Sequence, residues 1–520
     1  MHGEYIENDH SVIFSLDFHQ MQSYFIFEFN ILTNKGALMK EFTDVALNAA
    51  KDAGATFADM RIVEERQNRV YVERKSLKLI DETESSGYCV RVLIDGAWGF
   101  ASNTKLTRDE VAKTAERAAV IAKASAKVPK EIPAVMAPEA KHIDTRVGPC
   151  EEDPFAVPNA EKAELLLNCT NAMLSQPNIV MAYGYLQFIK LHRIIANTDG
   201  SYLDLTNYFA NPMLNCYAVD AGESQSRGFQ GGAKQAGFEF IRHIDLEANA
   251  AKWAEEALLK CRAEDTPRGI MDLVLDPMHL ALTMHESVGH PTELDRILGW
   301  EANMAGRSFV KPEMVGNYKY GSDVVNFTAN NVLEGGLGSW FYDDDGVELY
   351  SFPMVKDGML VNLGCTRETA PIIGWEKSNG CCRSDGFDKP PINRIPNLYM
   401  EPGTDDNLSP DDLIAGVDKG VYIEGMGSFS IDQMRNNFQF GGDMFWMIEN
   451  GRKTKPLKKV TYQAQTTQFW NSCDAVAGKK WWQPHGVMNC GKGEPMQVMR
   501  MTHGASWTRF RNIAVGGAQL

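Results

Sequence analysis

Apolar residues recur along this chain with two distinct periods, and the changes of period divide it into elements. Between Lys40 and Ala53 the positions Phe42, Val45, Ala46, Ala49 and Ala50 share one helical face, and Gly54 stops the run. Alternation with period two then predicts strands over Ala58–Val63, Arg69–Glu73, Leu77–Ile80 and Tyr88–Ile94, with Asp95-Gly96 as a hairpin turn into Trp98–Ala101. An alanine-rich helix from Thr107 to Lys127 is predicted to cover this antiparallel sheet. Prolines crowd residues 128–158 and mark a connector. Ala160–Ser175 returns to helical spacing, and 178–241 alternates again, with Asn197-Thr198-Asp199-Gly200 as a turn. The glycine-rich stretch Gly228–Gly237 lacks the strand, spacing and helix of a phosphate cradle and reads as a structural loop.

Leu246–Ala263 is a strongly amphipathic helix, and the apolar run Met271–Leu275 after it reads as one short strand. Asp276-Pro277 then supplies an N-cap and a first-turn proline for a helix over about 277–290. Short alternating runs follow at Val324–Thr328, Val347–Val355, Met359–Cys365, Val421–Glu424, Asn437–Phe440, Met444–Glu449 and Lys458–Gln465. Asp357-Gly358 and Asn450-Gly451 stand where hairpin turns belong. The expected fold class is α+β. An N-terminal α+β domain, an antiparallel sheet with covering helices, is expected over 39–242, and a C-terminal β-rich domain carrying the 277–290 helix over 243–520. Residues 1–38 lack helical periodicity and read as an N-terminal extension, to which no function is assigned.

Composition narrows the class. A net charge of −16 opposes general affinity for nucleic acid, which clustered lysine and arginine drive. No stretch is apolar for long enough to cross a membrane, and the acidic start (Glu4, Glu7, Asp9) is unlike a signal peptide. The ten cysteines are dispersed, with no CxxC pair, so reduced thiols in a cytoplasmic protein are expected rather than a disulfide scaffold or a zinc knuckle.

The chemistry concentrates at His285-Glu286-Ser287-Val288-Gly289-His290. Two imidazoles can hold a metal, and the adjacent carboxylate can take a proton from a water that the metal activates. The histidines are one residue further apart than in the common HExxH motif, which on an ideal helix splays them by about 140°. A single wide π-type turn would return them to one face. Gly289 softens the helix there, and Pro291 loosens or ends it at about His290. A third donor is available in Cys490, set among the glycines of Gly486-Val487-Met488-Asn489-Cys490-Gly491-Lys492-Gly493.

With His285-Glu286-x-x-x-His290, Cys490-Gly491-Lys492-Gly493, Gly96-Ala97-Trp98-Gly99-Phe100-Ala101 and the closing Val515-Gly516-Gly517, the chain resembles the TldD/PmbA metallopeptidases from about residue 40 to 518. The resemblance implies His285, His290 and Cys490 as Zn2+ ligands and Glu286 as catalytic base. It also implies unfolded or extended peptides as substrates, and a dimer, either a homodimer or a heterodimer with a related TldE/PmbA-like subunit. Two rival functions are a zinc amidohydrolase of small molecules and a non-catalytic regulatory partner subunit; the intact metal set opposes the second.

Other motifs read more simply. Asp343-Asp344-Asp345-Gly346 lacks the alternation of a calcium loop and reads as a tight acidic turn. Cys381-Cys382 reads as a reduced pair in a loop. Glu293 and Asp295 read either as acids that orient a ligand histidine or as solvated acids at a helix end, while His485, His503 and Cys473 rank below Cys490 as donors.

Overall fold

The structure is a computed structural model that describes residues 36–129 and 131–517. The extension expected at 1–38 lies outside the described residues up to position 35, and the first described helix covers 36–52.

The N-terminal sheet is built on two long hairpins. Strand β1 (Phe57–Glu73) pairs antiparallel with both β2 (Ser76–Ile94) and β5 (Ile179–Asn197), and β5 pairs with β6 (Tyr202–Asp220). Strand β3 (Ala97–Asn103) extends one edge, and β4 (Ile143–Val147) and β7 (Glu223–Gly228) both pair with β6, β4 in parallel. The separate short strands expected at 58–63 and 69–73 are one continuous strand. Its polar stretch Glu64–Asn68 stays extended because β2 and β5 satisfy its backbone groups on both sides.

Alternation sorts the two faces of this sheet. Even positions such as Met60, Ile62, Val90 and Ala196 pack under helix 36–52 and helix Arg108–Ser125, and Val70, Val72, Leu186 and Phe188 pack under helices Asn159–Leu174 and Leu246–Cys261. Odd positions face the C-terminal half, where Val63, Ile189 and Leu191 join Trp340, Ile395, Cys490, Met499 and Met501 in one cluster.

Residues 264–517 contribute two further sheets, of six and ten strands. One runs in the order Met359–Leu360, Ser351–Lys356, Phe327–Asn330, Leu398–Met400, Gln497–Ala505, Gln483–Lys492. The other places Gly269–Leu275 at its centre, between Thr508–Val515 and Lys419–Glu424, and ends at Phe429–Ile431. The helix beginning at Pro277 contributes Leu280, Met284 and Val288 to the apolar core that both sheets share. In 359–365 the strand is confined to Met359–Leu360, with Gly364 bridging Glu293, and 458–465 is divided between the end of Arg452–Lys458 and Tyr462–Gln465. Asp95-Gly96, Asp357-Gly358 and Asn450-Gly451 all have positive φ at both residues, as tight hairpin turns require. No helix among the described residues is long and apolar enough to cross a membrane.

The two halves are joined by buried charge. Asp343–Gly346 is a tight turn, with Gly346 N donating to Asp343 O at 3.1 Å, but its aspartates are fully buried. Asp344 accepts from Arg61 at 3.0 Å, from Arg193 at 2.9 Å and from Ser384 N at 2.8 Å, while Asp345 accepts from Arg91 at 2.7 Å. These arginines lie on the odd face of β1, β2 and β5, so the turn plugs the sheet onto the C-terminal half. Burial pushes the Asp344 carboxyl up, but Arg61 and Arg193 outweigh it and hold the carboxyl below its ordinary range. Its contribution to stability is therefore present above the unfolded carboxylate pKa and is lost as pH falls through the lower folded value. Asp344→Asn strands two buried guanidinium groups and is expected to cost about 3–5 kcal/mol; a urea unfolding midpoint equal to that of the parent would contradict this.

Candidate metal centre

The helix that carries the histidines starts where Asp276 caps it, its carboxylate accepting from His279 N at 2.8 Å. Regular α-helix holds from Pro277 to Met284 and then widens to a π-turn over His285–Gly289, with His290 N–H donating to His285 O. A 3-10 turn over His290–Thr292 ends the run at Pro291. The wide turn adds the residue that an ideal α-turn cannot accommodate, so the two imidazoles meet with ring centroids 4.7 Å apart and planes at 77°. Gly289 permits this packing, because a Cβ there would stand 3.0 Å from Ile395.

Cys490 reaches the same place from the strand Gln483–Lys492, at a break in register with Gln497–Ala505. The donor atoms of His285, His290 and Cys490 lie within 4.8 Å of one another, all buried. Cys490 Sγ is 3.7 Å from His290 Nε2. A tetrahedral ion about 2.3 Å from sulfur and about 2.0 Å from nitrogen sets those atoms about 3.5 Å apart. The three side chains therefore fit a metal.

The hydrogen-bond network fixes which ring nitrogens are free. His290 Nδ1 donates to Glu293 Oε2 at 2.8 Å, leaving Nε2 as a lone-pair donor. His503 Nδ1 donates to Leu398 O at 3.1 Å, so its Nε2 accepts from His285 Nδ1 at 2.7 Å and leaves His285 Nε2 free. Burial lowers the pKa of both His285 and His290, which favours the neutral, ligating forms. Burial raises the Cys490 thiol, while His290, when protonated, and Arg394 lower it.

A shell of paired charge supports the trio. Lys492 is wholly buried and donates to Glu293 at 3.0 Å, Asp295 at 2.7 Å and Asn393 O at 2.8 Å. It thereby ties the Cys490 strand to the segment after His290. Burial works against ionised Glu293, yet Lys492, His290 and Arg296 together hold its carboxyl well below the usual range. Glu286 pairs with Arg435.

Of the residues singled out in the sequence, Glu293 contacts His290 directly, whereas Asp295 acts on Lys492. Cys473 is buried in the apolar core, its thiol pushed up by burial, and has no part in the trio. His485 is buried with neither ring nitrogen hydrogen-bonded. Sequence reasoning gave no role to Lys492 or Arg435 and left His503 as a spare donor. Alternation could have found Lys492, since Cys490 and Lys492 are two apart and share the inward face of their strand.

Comparison with known proteins gives the family. Residues 268–517 match the model of the PmbA/TldA metallopeptidase C-terminal domain, and 58–122 that of PmbA/TldA metallopeptidase domain 1. The chain is 28% identical to a metalloprotease of Methanothermobacter thermautotrophicus over 89% of its own length and 95% of that protein's. It is 21% identical to the zinc metalloprotease TldD homolog of Saccharolobus solfataricus, covering 91% of this chain and 99% of the other. In fold it is similar to TldE from Thermococcus kodakarensis, with a TM-score of 0.66 at 16% identity over 91% of this chain and 99% of that one. The chain is a metallopeptidase. It belongs to the PmbA/TldD family.

Glu293→Gln keeps the shape of the side chain but weakens its hold on His290 Nδ1–H, and metal affinity is expected to fall about 10–100-fold. Competition with a chromophoric chelator measures this; an unchanged affinity would show that Glu293 does not orient His290.

Proposed function

We propose that this metallopeptidase is zinc-dependent and hydrolyses unfolded or extended peptides, with His285, His290 and Cys490 as the ligands and Glu286 as the general base. The observation that carries the reading is the convergence of two imidazole Nε2 atoms and one thiol, with a carboxylate on the adjoining residue. Imidazole and thiolate together suit zinc, and one relative is named a zinc metalloprotease. A zinc ion there supplies Lewis acidity, polarising the scissile carbonyl and making a water nucleophilic near neutral pH.

This chain's own groups then handle protons and position. Glu286 takes the proton from the attacking water and hands it to the leaving amine. His503 and Glu293 keep the ligand imidazoles in one tautomer and orientation. The strand Phe429–Ile431 ends its sheet, with Phe429 exposed, and its turn leads to Arg435 beside Glu286; that edge suits an extended chain adding as a further strand. We further propose that residues 39–242 and 243–520 form two domains, with helix Leu246–Cys261 of the second packed on the sheet of the first. We also propose that the chain works as a dimer, with itself or with a TldE/PmbA-like subunit. The apolar residues Leu77, Leu79 and Ile80, exposed on β2, support a covering partner.

Glu286→Gln tests the base. It is expected to retain zinc and lose about 10²- to 10⁴-fold in the hydrolysis of unfolded casein; activity within about threefold of the parent would remove Glu286 from that role.

A further inference from the structure

Arg435 is the residue that Glu286 pairs with, and its placement is unusual. It occupies the turn between Phe429–Ile431 and Asn437–Phe440 with φ of 61°, a left-handed conformation that a non-glycine side chain rarely adopts. The turn is clamped from both sides. Asp432 accepts from Asn436 N at 2.8 Å and Asn437 N at 3.1 Å, and Thr466 Oγ1 donates to Arg435 O at 2.8 Å. From another segment, Arg307 N and Phe309 N donate to Gln433 O at 2.8 Å and Met434 O at 2.9 Å. Several contacts thus hold a strained backbone so that one guanidinium points at the carboxylate beside the first histidine. The Arg435 side chain is 14% exposed, and its Nε is buried with no hydrogen-bond partner.

Arg61 and Arg193 also keep a buried Nε–H unpaired, but they pair with Asp344 in the seam between the halves, whereas Arg435 pairs with the carboxylate next to His285. The charge balance of the reaction supplies a use. Before attack Glu286 is negative and Arg435 neutralises it. When the attacking water loses its proton to Glu286, that carboxylate becomes neutral. The water oxygen bonds to the carbonyl carbon, the C=O π pair moves onto the carbonyl oxygen, and the negative charge arises there instead. A base must lie within hydrogen-bond reach of the water, so the new oxyanion forms within about 5 Å of the Glu286 carboxylate. A buried cation left without a partner is costly, and a fixed donor aimed at developing charge is the device that accelerates acyl transfer.

We infer that Arg435 is a catalytic residue that follows this charge, pairing with Glu286 in the free enzyme and donating to the oxyanion of the tetrahedral adduct, with the unpartnered Nε–H among its donors. The inference rests on the reading of Glu286 as base.

The test uses the full-length zinc-loaded protein and unfolded casein, with zinc content and thermal unfolding recorded for every variant. Arg435→Ala is expected to lose about 10²- to 10³-fold in kcat with KM within about threefold of the parent. Added guanidinium should restore at least about tenfold of that loss, and Arg435→Lys should fall between. A kcat of Arg435→Ala within about threefold of the parent overturns the inference. So does a loss seen only in KM, or no recovery with guanidinium. Loss of fold or zinc in both variants also overturns it, because the arginine is then structural. If Glu286→Gln stays active, the base reading fails independently of the Arg435 result; a parent inactive on casein overturns both.

Discussion

The site depends on one extra residue in one turn of helix. Five positions separate His285 from His290, and only because His290 N–H bonds to His285 O across a π-turn do both rings face Cys490. The same turn separates two functions. Successive residues rotate by about 100°, so Glu286 leaves the face shared by the histidines and pairs with Arg435. Gly289 against Ile395 and Pro291 in the 3-10 turn confine the distortion to this short stretch. The α-helix before it remains regular and anchors the site in the core through Leu280 and Met284.

Around that turn, buried charge does the joining. Lys492 with Glu293 and Asp295 holds the Cys490 strand to the histidine segment, and Asp344 with Arg61 and Arg193 holds the N-terminal sheet to the same half. Each pair links elements far apart in the chain, and each becomes costly if one partner is removed. The arrangement makes the geometry of the metal centre a property of the whole assembly. Trp340 shows this: it stacks under Arg193 at 4.2 Å and packs in the cluster that contains Cys490.

Local chemistry was the legible part of the sequence. The N-cap at Asp276, the hairpin turns at Asp357-Gly358 and Asn450-Gly451, and the wide turn implied by the spacing of His285 and His290 all follow from a few neighbouring residues. Long-range pairing was not legible. Glu64–Asn68 looked like a break between strands because its polar side chains signal a turn, whereas ladders on both sides keep it extended. Asp343–Asp345 has the composition of a surface turn and lies buried only because arginines from three distant strands meet it. The partnership of His503 with His285 joins residues that no spacing rule connects, and that of Arg435 with Glu286 requires the fold of the second half.

The central claim is that a thiolate from the C-terminal strand completes the ligand set begun on the helix. Zinc-edge X-ray absorption on the metal-loaded protein tests it directly. One sulfur at about 2.3 Å together with imidazole nitrogens at about 2.0–2.1 Å is the predicted first shell. A shell of nitrogen and oxygen alone, with no sulfur, would contradict it.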